Sequence, residues 1–126
     1  MQSDFKPVVY LKNGCPFCFK LRVALLELKM LDDLEIRTFT EGTPEGDEIR
    51  NVLSAKMSRV MFPTVELSPG KFKSESDELI AYFAELKNVL PENLPTLSAY
   101  INGPFKKLMA LSKENKALKR AMDSHA

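Results

Sequence analysis

Four apolar residues in a row, Val8-Val9-Tyr10-Leu11, stand between Pro7 and Asn13-Gly14. β-Branched and aromatic residues bounded by turn formers read as a buried strand over residues 8–11. The apolar spacing then changes. Cys18, Leu21, Ala24, Leu25 and Leu28 recur at i, i+3 and i+4, which predicts a helix over 16–30 with one buried face. Pro16 suits its first turn, where a missing N–H costs nothing. Residues 34–39 alternate Leu34, Ile36 and Thr38 with Glu35, Arg37 and Phe39, a second strand. After the loop Thr43-Pro44-Glu45-Gly46, a second helix is predicted over 47–56, with Ile49, Val52 and Leu53 apolar and Asp47 as its cap. Phe62-Pro63 leads into a third strand at 64–67, Ser68-Pro69-Gly70 turns the chain, and residues 71–74 make a short edge strand. Leu79, Ile80, Tyr82 and Phe83 mark the apolar face of a third helix over 76–86, with Ser76 as its N-cap. The order over residues 1–90 is β-α-β-α-β-β-α.

The pattern changes after Pro91. Pro91 and Pro95 mark a linker, residues 97–101 a short helix, and Pro104 opens a longer one to about Met122. Its apolar stripe is Phe105, Leu108, Met109, Leu111, Leu118 and Met122, with lysines on the other face. The chain therefore divides into an α/β domain at 1–90 and a helical C-terminal extension at 91–126. That extension either covers apolar surface on the sheet domain or pairs with a second subunit as a homodimer through the C-terminal helices.

With 126 residues and 44% hydrophobic content, the chain can build one real core without disulfide staples. A net charge of +1 argues against general nucleic-acid binding, although residues 104–126 hold six Lys/Arg against Glu114 and Asp123. That basic face is solvated or meets an acidic partner. No stretch approaches the roughly 18 apolar residues of a membrane span, so no membrane partner is expected. The polar N-terminus lacks the pattern of a signal peptide. Two cysteines without an export signal imply a reducing compartment, most simply the cytoplasm.

Those two cysteines carry the chemistry: Cys15-Pro16-Phe17-Cys18, between a strand and a helix. A thiol is a weak nucleophile until deprotonated, and a free cysteine has a pKa of about 8.5. Cys15 would face the unpaired N–H groups and positive dipole end of the helix, with Lys12 adding charge three residues upstream. Cys18 lies about one turn in, buried, and should keep a more normal thiol. Cys15 then attacks a disulfide, and Cys18 resolves the mixed disulfide when the partner is a protein. A Cys-x-x-Cys is also half of a zinc site, but zinc needs about four ligands. The chain's one histidine is His125, so no metal is expected.

Lys12-Asn13-Gly14-Cys15-Pro16-Phe17-Cys18 resembles the active-site loop of dithiol glutaredoxins, whose usual form is Lys-x-x-Cys-Pro-Tyr-Cys. Met61-Phe62-Pro63-Thr64-Val65 looks like the segment of the thioredoxin fold that carries a cis-proline facing the cysteines. Lys73-Ser74-Glu75-Ser76-Asp77 resembles the acidic-Ser pair of glutathione transferase N-terminal domains and the matching glutaredoxin turn. The three motifs stand in family order over residues 6–87. Phe17 departs from the commoner Tyr, and Phe62 from the usual Val.

The resemblance implies a thioredoxin-like fold and a glutathione-dependent thiol–disulfide oxidoreductase, with glutathione as cosubstrate. It implies Cys15 as nucleophile, Cys18 as resolving thiol and Lys12 as the activating charge. The implied glutathione groove holds Lys12, Phe17, Phe62, Pro63, Glu75, Ser76 and Asp77. Lys12 would take the glycine carboxylate, the Phe62 backbone the cysteinyl unit as an added strand, and Glu75 and Ser76 the γ-glutamyl end. The partners implied are glutathione and disulfide-containing or glutathionylated proteins. Two alternatives stay open. One is a glutathione transferase-like or dehydroascorbate reductase-like enzyme. The other is a non-enzymatic redox-gated module that binds a protein through its basic C-terminal helix. An iron–sulfur cluster shared by two subunits is disfavoured by Pro16 beside the nucleophile.

Overall fold

The structure is a computed structural model, and it describes residues 5–124. His125 lies outside the described residues. Four strands form one mixed sheet: β1 (Val8–Lys12), β2 (Glu35–Phe39), β3 (Thr64–Ser68) and β4 (Lys71–Ser74), in the order β2-β1-β3-β4. β1 runs parallel to β2 and antiparallel to β3, and β3 runs antiparallel to β4. β4 is an edge strand, as its short polar sequence predicts. With helices α1 (Pro16–Glu27), α2 (Pro44–Ser54) and α3 (Ser76–Leu86), this is the β-α-β-α-β-β-α order of a thioredoxin-like fold.

β1 is buried on both faces because helices cover both sides of the sheet. Val9, Leu11 and Val65 pack with the α1 stripe Cys18, Leu21, Ala24, Leu25 and Leu28 and with Leu79, Ile80 and Phe83 of α3. Val8 and Tyr10 point the other way, onto Leu53 of α2. A strand with two buried faces reads as a continuous apolar run, which is how residues 8–11 appear.

Several boundaries and faces differ from the sequence reading. α1 stops at Glu27, and Lys29 takes a left-handed φ of 59°. α2 begins earlier than expected, at Pro44, because Thr43 rather than Asp47 is its N-cap: the Thr43 hydroxyl accepts from Gly46 N–H at 3.2 Å. Gly46 is needed there, since a Cβ would stand 2.8 Å from the Thr40 carbonyl oxygen. Val52 and Tyr82 sit at the margins of their helical faces and are exposed. In β2 the terminal Phe39 is buried while Thr38 is exposed, because the Phe39 ring packs edge-on against Phe62 at 4.7 Å. Ser76 is the first residue of α3, not its cap. That position falls to Glu75, with a φ of 78° and no side-chain capping bond.

The C-terminal extension also differs. α4 (Pro95–Tyr100) leads through a π turn (Ile101–Phe105) directly into α5 (Lys106–Ser124). Pro104 therefore lies inside a continuous helical path rather than opening a new helix. The wider turn accommodates the missing N–H that an α-helical ladder would require. α4 joins the main core: Leu94 and Leu97 belong to the cluster under α1 and α3. Its first turn has no capping side chain of its own. Glu27, at the end of α1, substitutes by accepting from Thr96 N–H at 3.0 Å and Leu97 N–H at 2.5 Å. Among the described residues no helix is long and apolar enough to cross a membrane.

This anchoring is measurable by equilibrium urea unfolding. Leu97 is 1% exposed, so Leu97→Ala should cost about 3 kcal/mol through the cavity it leaves. Glu27→Ala should cost about 1 kcal/mol, because two helix-terminal N–H groups lose a charged acceptor but regain water. Wild-type midpoints in both variants would show that α4 is not held this way.

Candidate active site

Cys15 is the N-cap of α1, reached through Gly14, whose φ of 79° turns the chain out of β1. Its sulfur accepts from the Cys18 N–H at 3.4 Å. The next turn closes normally, with Phe19 N–H donating to the Cys15 carbonyl at 3.0 Å. Cys18 is buried, and its sulfur accepts from the Lys12 N–H at 3.3 Å. The two thiols are free.

The environments push the two thiols apart. Cys15 is lowered from 9.0 to about 6, first by the hydrogen bond that the Cys18 thiol donates. Burial opposes this, while the N–H groups of Cys18 and Phe17 and the charge of Lys12 assist. Lys12 is thus the smallest of these contributions, not the main activator. Cys18 is raised by the same hydrogen bond and by burial, well beyond an ordinary thiol. At neutral pH the pair is a Cys15 thiolate held by a Cys18 thiol, the division of roles that exchange chemistry needs.

Two cavities adjoin this turn. One, of about 240 Å3, is lined by Phe17, Met61, Phe62, Pro63, Glu75, Ser76 and Asp77. It gathers six of the seven residues expected in the glutathione groove. The Phe62–Pro63 peptide bond is cis. Glu75 holds its positive φ at the rim, a costly conformation for a residue with a Cβ, of the kind found where a site constrains the backbone. The seventh residue, Lys12, lies elsewhere. It lines a second cavity of about 300 Å3 with Cys15, Cys18, Phe19, Arg22, Tyr100 and Leu108, among others.

Three residues of this region lie outside the sequence-based set. Lys20 is only 4% exposed, and its ammonium pairs with Asp77 at 2.7 Å. It also lies over the Phe105 ring at 4.4 Å and nearer the edge of reach of Phe17 at 5.5 Å. Asp77, 85% exposed, therefore already has a cationic partner. Tyr100 donates its hydroxyl to the Pro16 carbonyl at 3.0 Å, and its ring meets Phe19 at 5.1 Å. Burial and the nearby Cys15 charge raise the Tyr100 phenol. Phe105 packs edge-on against Phe17 at 5.3 Å. The extension thus closes over the first turn of α1. Among the described residues no group of three or more His, Cys, Asp or Glu side chains is placed to hold a metal ion.

Residues 9–93 match the glutathione S-transferase N-terminal domain family. The chain belongs to that family. The match spans β1 to the turn before α4, and so includes the cysteine loop, the Phe62-Pro63 segment and the Glu75-Ser76 turn. Among solved structures, a possible glutathione S-transferase from Rhodopseudomonas palustris is 23% identical, covering 64% of this chain and 40% of its own, with a TM-score of 0.49. A glutathione S-transferase from the Antarctic clam Laternula elliptica is 24% identical over 69% of this chain and 37% of its own, at 0.46. Glutathione transferase Omega 2C from Trametes versicolor is 21% identical over 74% and 44%, at 0.49. The chain spans less than half the length of each. No curated protein matches it.

The thiolate assignment can be checked by iodoacetamide labelling against pH. Alkylation of Cys15 should be fast at neutral pH and fall as pH drops through about 6, where the sulfur regains its proton. Cys18→Ala removes the largest cause, so the midpoint should move up toward the ordinary thiol range. Lys12→Met should move it far less. Equal shifts in the two variants would overturn the ranking.

Proposed function

We propose that this family member is a glutathione-dependent thiol–disulfide oxidoreductase. The observation that carries the reading is the pairing of a Cys15 thiolate at a helix N-terminus with a buried Cys18 thiol. The Cys15 thiolate attacks the glutathionyl sulfur of a mixed disulfide. The S–S bond breaks, the substrate leaves as a thiol, and glutathione stays bound to Cys15. A second glutathione thiolate then attacks that sulfur and leaves as glutathione disulfide, which returns Cys15 as thiolate. With a protein disulfide, Cys18 gives up its proton and displaces the bound chain, leaving a Cys15–Cys18 disulfide for two glutathiones to reduce.

The glutathionyl unit is assigned to the cavity of Phe17, Phe62, Pro63, Glu75, Ser76 and Asp77. Its charged γ-glutamyl end suits the polar rim at Glu75 and Ser76 and the N–H groups that open α3. Its cysteinyl backbone suits the Phe62 main chain as a short added strand. Lys12, standing with Cys15 in the other cavity, is assigned to the incoming substrate side. The cytoplasm is the compartment where such a dithiol would be kept reduced.

A transferase reading is supported equally by the family match, and one feature of the site also favours it. The cavity at Cys15 is walled by the apolar side chains of Leu11, Phe19, Tyr100 and Leu108, a surface suited to a small hydrophobic substrate. The two readings separate by product. Oxidoreductase chemistry releases glutathione disulfide, whereas transfer to an electrophile yields a thioether.

Glutathione-coupled reduction of a small mixed disulfide is the direct assay. Wild type should turn over, Cys15→Ser should lose activity at least about a thousandfold, and Cys18→Ser should keep most of it. Ser76→Ala should raise KM for glutathione severalfold with little change at a saturating concentration. A folded wild type that releases no glutathione disulfide, yet forms a thioether with an aromatic halide, would replace the first reading with the second.

A further inference from the structure

Lys20 is the one charged side chain buried among the described residues, at 4% exposure. Its ammonium carries several N–H donors and has a single acceptor, the Asp77 carboxylate at 2.7 Å. Aromatic rings make up its other neighbours, Phe105 at 4.4 Å and Phe17 at 5.5 Å. Burying an ammonium is costly, and an apolar side chain of similar length would fill a purely structural position as well or better. Its partner is the opposite case. Asp77 is 85% exposed, and an exposed carboxylate ordinarily moves among its rotamers in water. Here one oxygen is fixed to a buried cation, and the other has no partner among the described residues.

Phe17, Glu75, Ser76 and Asp77 line one cavity, whose walls carry the carboxylates of Glu75 and Asp77 and no cation. Of the cations on neighbouring residues, Arg50 over the Phe62 ring pairs with Glu41, and Lys73 pairs with Glu78. Such a lining is at odds with glutathione, which is an anion with one ammonium, at its γ-glutamyl end. That ammonium needs an acceptor, and the carboxylates of the ligand need the acidic rim neutralised. A cation behind Asp77 meets both needs.

We propose that Lys20 is a positioning residue for glutathione: it holds Asp77 by one oxygen, leaves the other for the γ-glutamyl ammonium, and offsets the charge that would repel the ligand's carboxylates. This rests on the assignment of that cavity to glutathione. Phe105 belongs to the extension, beyond the family match. The extension therefore acts on the groove through Lys20, because removing the Phe105 ring admits water to the ammonium and loosens its hold on Asp77.

Titration calorimetry with reduced glutathione, on the full chain carrying Cys15→Ser, measures binding apart from turnover. Glutaryl-cysteinylglycine, which lacks only the ammonium, is the comparison ligand. The Cys15→Ser parent should bind glutathione about tenfold tighter than the glutaryl analogue, and Asp77→Asn should abolish that preference. Lys20→Met should weaken glutathione binding about tenfold, and Lys20→Arg by no more than about threefold, because a guanidinium also pairs with a carboxylate and stacks on rings. Lys20→Met combined with Asp77→Asn should be no worse than Asp77→Asn alone, as expected of a residue that acts through its neighbour. Phe105→Leu should weaken glutathione binding severalfold. With Cys15 restored, Lys20→Met should raise KM for glutathione about tenfold and leave kcat nearly unchanged. Its urea midpoint should equal or exceed that of wild type, since Asp77 is left in water rather than buried. Unchanged affinity in Lys20→Met marks a structural pair and overturns the proposal. Additive losses in the double variant overturn it too, as does equal affinity of the parent for the two ligands. Asp77 is exposed, so the Asp77→Asn comparison stands even where Lys20→Met does not fold. A folded parent that binds neither ligand instead overturns the assignment of the cavity to glutathione, and this proposal with it.

Discussion

The cap that Cys15 makes on α1, its sulfur accepting from the Cys18 N–H at 3.4 Å, is the constraint on which the site depends. It sets the two thiols in unlike surroundings, which lower Cys15 and raise the more deeply buried Cys18. It exists because Cys15 stops one residue short of α1 while Cys18 lies a turn inside it. The fold secures both ends. Gly14 turns the chain out of β1, and the Lys12 N–H at the end of β1 holds the Cys18 sulfur. A longer loop would separate the sulfurs, and a shorter one would draw Cys15 into the helix.

The C-terminal segment is part of the site's construction. α4 is buried through Leu94 and Leu97 and capped by Glu27 from the far end of α1. That anchoring brings Tyr100 onto the Pro16 carbonyl and Phe105 onto Phe17. Lys20 lies between those rings and Asp77, so one buried cation ties α1, α3 and the extension together. A lysine in that position tolerates burial because two π faces and a carboxylate replace much of its hydration.

The arrangement also separates two kinds of surface on either side of the Cys15–Cys18 turn, one reached through Phe17 and one lined by the cysteines themselves. The Glu75 and Ser76 rim is polar and lies at a helix start, suited to a charged peptide-like ligand. The Leu11, Phe19, Tyr100 and Leu108 wall is apolar, and half of it comes from the extension. The family match reaches residue 93, just before the extension that completes the second surface. Cys15 and Cys18 therefore lie within the match, whereas half of the apolar wall beside them comes from helices beyond it.

Periodicity was enough to read the elements. The run at 8–11, the α1 stripe and the range of α3 follow from local spacing, because burial repeats with the period of the helix or strand that creates it. The cysteine pair was legible for the same reason, since its chemistry is local to one turn. The misplaced cap of α2 and the exposed Tyr82 are local matters of which hydroxyl reaches the helix N–H and of where a face ends, whereas the buried Phe39 depends on a distant neighbour. Thr43 caps α2 because its hydroxyl accepts from the Gly46 N–H, and Phe39 turns inward onto Phe62. What the sequence by itself determined is the order of strands and helices and the identity of the reactive pair. Only the tertiary structure decided that Lys12 stands apart from the other groove residues, that Asp77 is paired with Lys20, and that Tyr100 and Phe105 close over the site. Those facts join residues as far as 84 apart, and no local spacing carries a contact made by packing.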